Sequence, residues 1–300
     1  MDRRDQLKGR LYIILSAVIY GCMPLGASVL YTEGVTPMSL VFLRNVLSLP
    51  LLALLAHRCG GLRISRGALG EVAAASAVGA CLTPVLLFTS YRYLASGMAA
   101  VFHFSYPVVV VIGGFLLHEK IRRSAVFCTL LCTAGILLLL DPGGSIDLLG
   151  AAIALASGVA YAAYILMLAH FRHREVSGFR MSFYLALICS LCTLTLCLLT
   201  HQFALPQTAR GWLTAFLFSL MLSVFAAVLF QQGTFLIGGQ HAAILSTLEP
   251  ITSILAGILF LHESLTPRIA LGAALTLLGS VLIAVLDGRG GLSPAQSSRN

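Results

Sequence analysis

Charge is what this sequence has least of. Only 10% of its 300 residues are Asp, Glu, Lys or Arg, while 58% are hydrophobic; soluble proteins carry roughly 25% charged residues. A water-soluble fold is excluded. Lysine is nearly absent, and neither Lys8 nor Lys120 follows the Gly-rich turn of a phosphate-binding loop, so no ATP-driven machinery is visible. Long polar segments are lacking too. A bilayer-spanning helix uses about 20 apolar residues, and ten of them would take about two thirds of this chain, leaving no soluble catalytic domain and no loop long enough to signal by itself. The eleven acids are scattered, without the acid or His cluster that a metal-dependent enzyme acting on lipid requires. No catalytic residue, metal site or cofactor site is therefore read.

The eight cysteines offer no disulfide framework, because all except Cys59 lie inside apolar runs. Cys128 and Cys132, four apart, and Cys189 and Cys192, three apart, read as helix-packing residues and not as metal or redox pairs. The net charge of +8 comes from small basic clusters between apolar runs, which reads as membrane topology and not as a nucleic-acid surface.

What is there is a series of apolar runs. They predict an all-α integral membrane protein with spans near 11–30, 37–57, 69–91, 96–117, 122–140, 148–169, 179–200, 212–237, 241–261 and 267–286. With the N-terminus in the cytoplasm, fifteen of the 19 basic residues fall inside. Only Arg92, Arg210 and Arg268 fall outside, and Arg44 lies within a span. Such asymmetry predicts ten crossings of the plasma (cytoplasmic) membrane with both termini cytoplasmic. The first run reads as an uncleaved span, so the mature chain is expected to begin at or near Met1.

A shift of about 141 to 144 positions superposes the two halves. Ser16 to Tyr20 falls on Ser157 to Tyr161, Met38-Ser39 on Met181-Ser182, Ala99-Ala100 on Ala242-Ala243 and Pro107 on Pro250. His118-Glu119 then falls on His262-Glu263 after a one-residue gap, and Gly135 on Gly279. Five spans per copy is an odd number, so the copies cross the membrane in opposite senses, an architecture of secondary transporters. The copies are 1–140 and 141–288, followed by a short cytoplasmic tail at 289–300.

With Pro107 and Glu119 in one copy and Pro250 and Glu263 in the other, the chain resembles the EamA-like members of the drug/metabolite transporter superfamily. The resemblance covers nearly the whole chain. It implies two five-helix repeats and a permease, in the exporter direction, for a small organic metabolite such as an amino acid, an amine or a toxic compound. One departure stands out, because Glu249 precedes the second proline where Tyr106 precedes the first.

Glu249 lies about eight residues into its span, roughly 12 Å deep and close to the midplane of a ~30 Å core. A carboxyl group there binds substrate, carries a proton or fixes packing through a hydrogen bond, with function the favoured reading. Tyr106 sits at the matching depth. Pro107 and Pro250 kink their helices and free the carbonyls of His103 and Ser246, so the face carrying His103, Tyr106, Ser246 and Glu249 is the expected central cavity. Arg44 either meets a substrate carboxylate or an acid, or snorkels to the outer headgroups, the latter favoured. Gln231, Gln232, Tyr20, Tyr161 and Tyr164 add neutral hydrogen-bonding groups for the cavity. Glu119 and Glu263 read as structural, at helix ends. The expected partners are a solute and the bilayer, with proton coupling through Glu249 and uniport both open. An integral-membrane enzyme acting on a lipid is the alternative.

Overall fold

The computed structural model describes residues 3–94, 99, 102–118, 123–138, 147–173 and 176–261, and beyond them 267–268, 270–272, 274–275, 277–279 and 282. Every regular element among the described residues is helical. In chain order these are α1 (Arg4–Thr32), α2 (Pro37–Arg58) and α3 (Arg66–Ser90), then α4 (Tyr106–Leu116) and α5 (Arg123–Leu138). There follow α6 (Leu148–Ala169), α7 (Gly178–Leu199) and α8 (Ala209–Ile237), then α9 (Gly239–Leu245), α10 (Leu248–Leu261) and α11 (Ala270–Gly279). Six of them, α1, α2, α3, α6, α7 and α8, are long and apolar enough to cross a membrane.

The remaining helices are shorter, and the prolines account for part of this. Sequence reading treats Pro107 and Pro250 as kinks inside continuous spans. Instead the chain breaks just before them, with turns at Phe104-Ser105 and at Ser246-Thr247. Val108 N–H donates to Ser105 O at 3.1 Å, and Glu249 N–H donates to Ser246 O at 3.0 Å. Each proline thus lands in the first turn of a new helix, where its missing N–H costs nothing. At 1.5 Å per residue the 14 residues of α10 reach about 21 Å, short of a ~30 Å core without α9 before them.

Large apolar side chains crowd the surface while several small polar ones are buried, unlike the pattern of a soluble protein. Phe115, Leu116, Leu148 and Leu199 are each more than two thirds exposed, while Ser16, Ser76, Ser157, Ser219 and Gln231 are fully buried. Leucine gains nothing by packing on leucine in lipid, so helix contacts rest on close approach and hydrogen bonds. Along α6, Gly150 abuts Tyr93 and Leu94, Ala154 is fully buried, Gly158 abuts the backbone at His103, and Ala162 is again fully buried. The small-residue stripe on this helix is a contact surface.

Local structure repeats with the sequence. Thr36 and Ser177 cap α2 and α7 by accepting from Ser39 N–H and Arg180 N–H, at 3.2 Å and 3.3 Å. Ser65 and Thr208 do the same for α3 and α8. Both α3 and α8 widen into a π turn, at Ser76–Leu82 and Leu220–Ala226, 144 positions apart. Interhelical hydrogen bonds are reciprocal as well. Ser76 of α3 donates to Leu185 O of α7 at 2.8 Å, and Ser219 of α8 donates to Arg44 O of α2 at 2.6 Å. At one end of this central pair Thr36 and Ser39 donate to Gln202 O. At the other, Arg180 donates to the carbonyls of Cys59, Gly60 and Arg63. The start of α2 therefore lies beside the end of α7, and the start of α7 beside the end of α2.

Cys128 and Cys132 are buried in α5, where Gly279 of α11 meets Cys132 Sγ and the Cys128 backbone. No cluster of three or more metal-ligating side chains occurs among the described residues. Glu119, His262 and Glu263 lie outside the described residues.

Candidate functional site

Helices α1, α2, α3, α6, α7, α8 and α10 enclose a cavity of ≈ 760 Å³ of atom-free space, mouth included. Tyr20 and Tyr161, equivalent positions of the two halves, both line it, together with Arg44, His103, Tyr164, Gln231 and Glu249. A smaller space of ≈ 300 Å³ also touches Tyr20, His103 and Glu249. It extends between the break in α1 at Gly21 to Pro24 and the first turns of α10 at Pro250 and Ser253. Gly21 is what lets α1 come so close, since a Cβ there would stand 2.6 Å from Glu249 O.

The two charged residues of the cavity are not paired with each other. Glu249 is half-buried, and no hydrogen bond or ion pair to its carboxylate occurs among the described residues. Arg44 is only 9% exposed and its Nε has no partner among the described residues. Tyr20 stands within electrostatic reach of both charges.

One wall is aromatic. Tyr161 stacks on Phe230 with ring centroids 5.8 Å apart, and Tyr164 stacks on Phe230 at 6.3 Å. Behind them Tyr106 sets its ring edge-on to Tyr161 at 4.9 Å. His103 Nδ1 lies 2.8 Å from Ser157 Oγ, whose own proton goes to Ala154 O at 2.7 Å. Ser157 oxygen is then the acceptor and His103 Nδ1–H the donor, which leaves Nε2 as the ring's acceptor. Gln231 Oε1 accepts from Ser182 at 3.2 Å, and the rest of its amide lies beside Tyr164.

Several sequence expectations need correction here. The expected face of His103, Tyr106, Ser246 and Glu249 is split, since His103 and Glu249 line the cavity while Tyr106 is fully buried behind it. Ser246 is also buried, and its hydroxyl donates back to Ala242 O at 2.8 Å. Gln232 points elsewhere, packing where α7 begins at Gly178. Arg44 does not snorkel to an outer surface; the close packing of α2 with α7 and α8 holds it inside. Asn45, Thr83, Ser182 and Ser223 also line the cavity and escape the sequence reading. Asn45 was a readable signal as an amide within an apolar run, whereas serine and threonine are too common in such helices to single out.

Comparison with known proteins agrees with this architecture. The model of the EamA-like transporter family matches residues 7–141 and again residues 148–285. "Uncharacterized transporter YwfM" of Bacillus subtilis (strain 168) is 26% identical over 284 residues, covering 92% of this chain and 95% of that protein. "Uncharacterized transporter YcbK" of the same organism is 25% identical over 281 residues, covering 87% and 88%. A solved structure titled "Crystal structure of protein" shares the fold with a TM-score of 0.71 at 20% identity, over 93% of this chain and 96% of its own. Apolar helices of spanning length, a cavity among them and a family model matched twice identify this multi-pass membrane protein as a member of the EamA-like transporter family.

Proposed function

We propose that the chain is a secondary transporter that exposes this cavity alternately to the two sides of the plasma membrane and so moves a small organic metabolite. In this reading the chain crosses ten times, as inverted five-helix repeats at 1–140 and 141–288, with 289–300 as a tail and both termini cytoplasmic. The broken fourth and ninth segments each cross in two pieces. The observation that carries the proposal is the cavity itself, lined from both halves and holding Glu249 and Arg44, which form no ion pair among the described residues. Inverted-repeat transporters place their substrate site at such a junction, beside discontinuous helices. Support for the inverted sense comes from the reciprocal bonds of Ser76 and Ser219 and from the antiparallel neighbours α2 and α7. Export is the direction we assign, on family resemblance, with Glu249 as the proton carrier.

The experiment is counterflow in proteoliposomes. Vesicles preloaded with one unlabelled amino acid, amine or organic acid at a time are diluted into the same labelled solute. Transient accumulation above equilibrium for at least one solute, absent from protein-free vesicles, is the expected result. Modification of vesicle lipid without exchange of any solute would instead mark a lipid enzyme.

A further inference from the structure

We propose that Cys81 and Cys189 form a redox modification site, at which a peroxide joins the two thiols as a disulfide that ties one half of the chain to the other and arrests transport. The effect on transport rests on the transporter reading above; the disulfide itself does not. Spacing in the sequence pairs Cys189 with Cys192 and Cys128 with Cys132, but this thiol contact is made between helices. Ser76 of α3 donates to Leu185 O of α7, and four residues further along each helix Cys189 Sγ donates to Ala80 O at 3.1 Å. Helices α3 and α7 therefore run side by side in the same sense. The π turn at Ser76–Leu82 does the rest, because its i→i+5 hydrogen bonds stack position 81 over position 76. Cys81 is thereby turned toward α7, and its thiol is in hydrogen-bonding contact with that of Cys189.

A buried cysteine on its own is a small apolar side chain. Two free thiols in contact are also one oxidation away from a covalent bond. Cys189 is fully buried and accepts from Asn45 Nδ2 at 3.4 Å, which holds its sulfur against α3. Cys81 is 7% exposed and precedes the exposed Leu82, so its sulfur is the one a small uncharged oxidant meets first. The peroxide gives one oxygen to Cys81, leaving a sulfenic acid and one water. Cys189 sulfur then attacks Cys81 sulfur, the S–O bond breaks, and the oxygen departs as a second water. The thiols lose the two electrons that the peroxide gains, and a dithiol reverses the step by exchange, ending as a disulfide itself. Asn45 and Ala80, which both bond to Cys189, line the cavity. Helix α3 lies in the first family match and α7 in the second. A cavity that opens to each side in turn needs the two halves to move against each other, and a covalent link at its wall prevents this.

The test uses purified full-length protein in proteoliposomes, treated with hydrogen peroxide and then with dithiothreitol. Peptide mapping without reduction should find Cys81 linked to Cys189 after peroxide and free after dithiothreitol. Counterflow of an exchanged solute should fall toward that of protein-free vesicles as the linked fraction rises, and recover on reduction. Cys81→Ser and Cys189→Ser should each abolish the link and leave counterflow insensitive to peroxide, while Cys192→Ser should keep both responses. The map of the wild-type protein depends on no variant folding. Oxidation of the exposed Cys59 with Cys81 and Cys189 still unlinked overturns the proposal, as does a link from Cys81 to Cys192 in its place. Full linkage with unchanged counterflow overturns the arrest of transport. Counterflow of no solute, even before peroxide, overturns the transporter reading instead, and the map still decides the disulfide.

Discussion

Glu249 and Arg44 are cavity positions at which the two halves differ. Tyr20 and Tyr161 both line the cavity, but Glu249 has Tyr106 as its counterpart and Arg44, in the register of Met38-Ser39 on Met181-Ser182, has Leu187. Glu249→Gln keeps shape and hydrogen-bonding capacity while removing charge, so the fold should persist. Solute exchange, which needs no net proton movement, should survive in that variant even if weakened, and accumulation driven by a pH gradient should be lost. Wild-type accumulation at every pH would make Glu249 a packing residue. That Glu249 lines the cavity was legible in the sequence, because an acid amid apolar residues announces itself. The close approach at Gly79 was not, since glycine in a membrane helix has many uses. A Cβ at Gly79 would lie 2.1 Å from the Tyr164 ring. Gly79→Ala should therefore push Tyr164 into the cavity and lower solute affinity about tenfold or more in counterflow. Overpacking of this kind costs about 1–3 kcal/mol, and unchanged affinity would show that Tyr164 lies outside the binding surface.

At the level of helices, sequence reading succeeded where periodicity and length decide and failed where backbone geometry does. Apolar runs located α2, α3, α6, α7 and α8 to within about three residues at each end, while α1 begins seven residues before its run. Proline told where α4 and α10 change course but not how, because a proline is equally at home in a kink and in a first turn. The π turns at Ser76–Leu82 and Leu220–Ala226 have no residue signature, although their recurrence marks them as part of the design. Ser76 and Ser219 join α3 to α7 and α8 to α2 across the seam. Ser76→Ala and Ser219→Ala should each destabilise the protein by about 0.6–1.7 kcal/mol, the range for membrane interhelical hydrogen bonds. Their effects should add within about 0.5 kcal/mol, as separated sites do. Equilibrium unfolding in detergent measures both; a loss at one site alone would argue against the reciprocal arrangement.

For the whole molecule, family and helical class were legible because they rest on composition and on a repeat spread through the entire chain. The cavity was only half legible. Depth along a helix can be counted, but the direction a side chain takes depends on neighbours far away in sequence, as Tyr106 and Gln232 illustrate. Sidedness is a second whole-molecule claim. In a cysteine-free background, Cys at Gln207 should react with an impermeant reagent on intact cells and Cys at Gly61 only after lysis, and the opposite pattern would invert the topology. The account's central claim is that one cavity serves both sides of the membrane. Ala227, which lines it, provides the direct measurement as Ala227→Cys in the cysteine-free protein, oriented in sealed vesicles and treated with an impermeant thiol reagent from each side in turn. The account predicts labelling from both sides, slowed from either by the transported solute. Labelling from one side only, whatever solute is present, would contradict it.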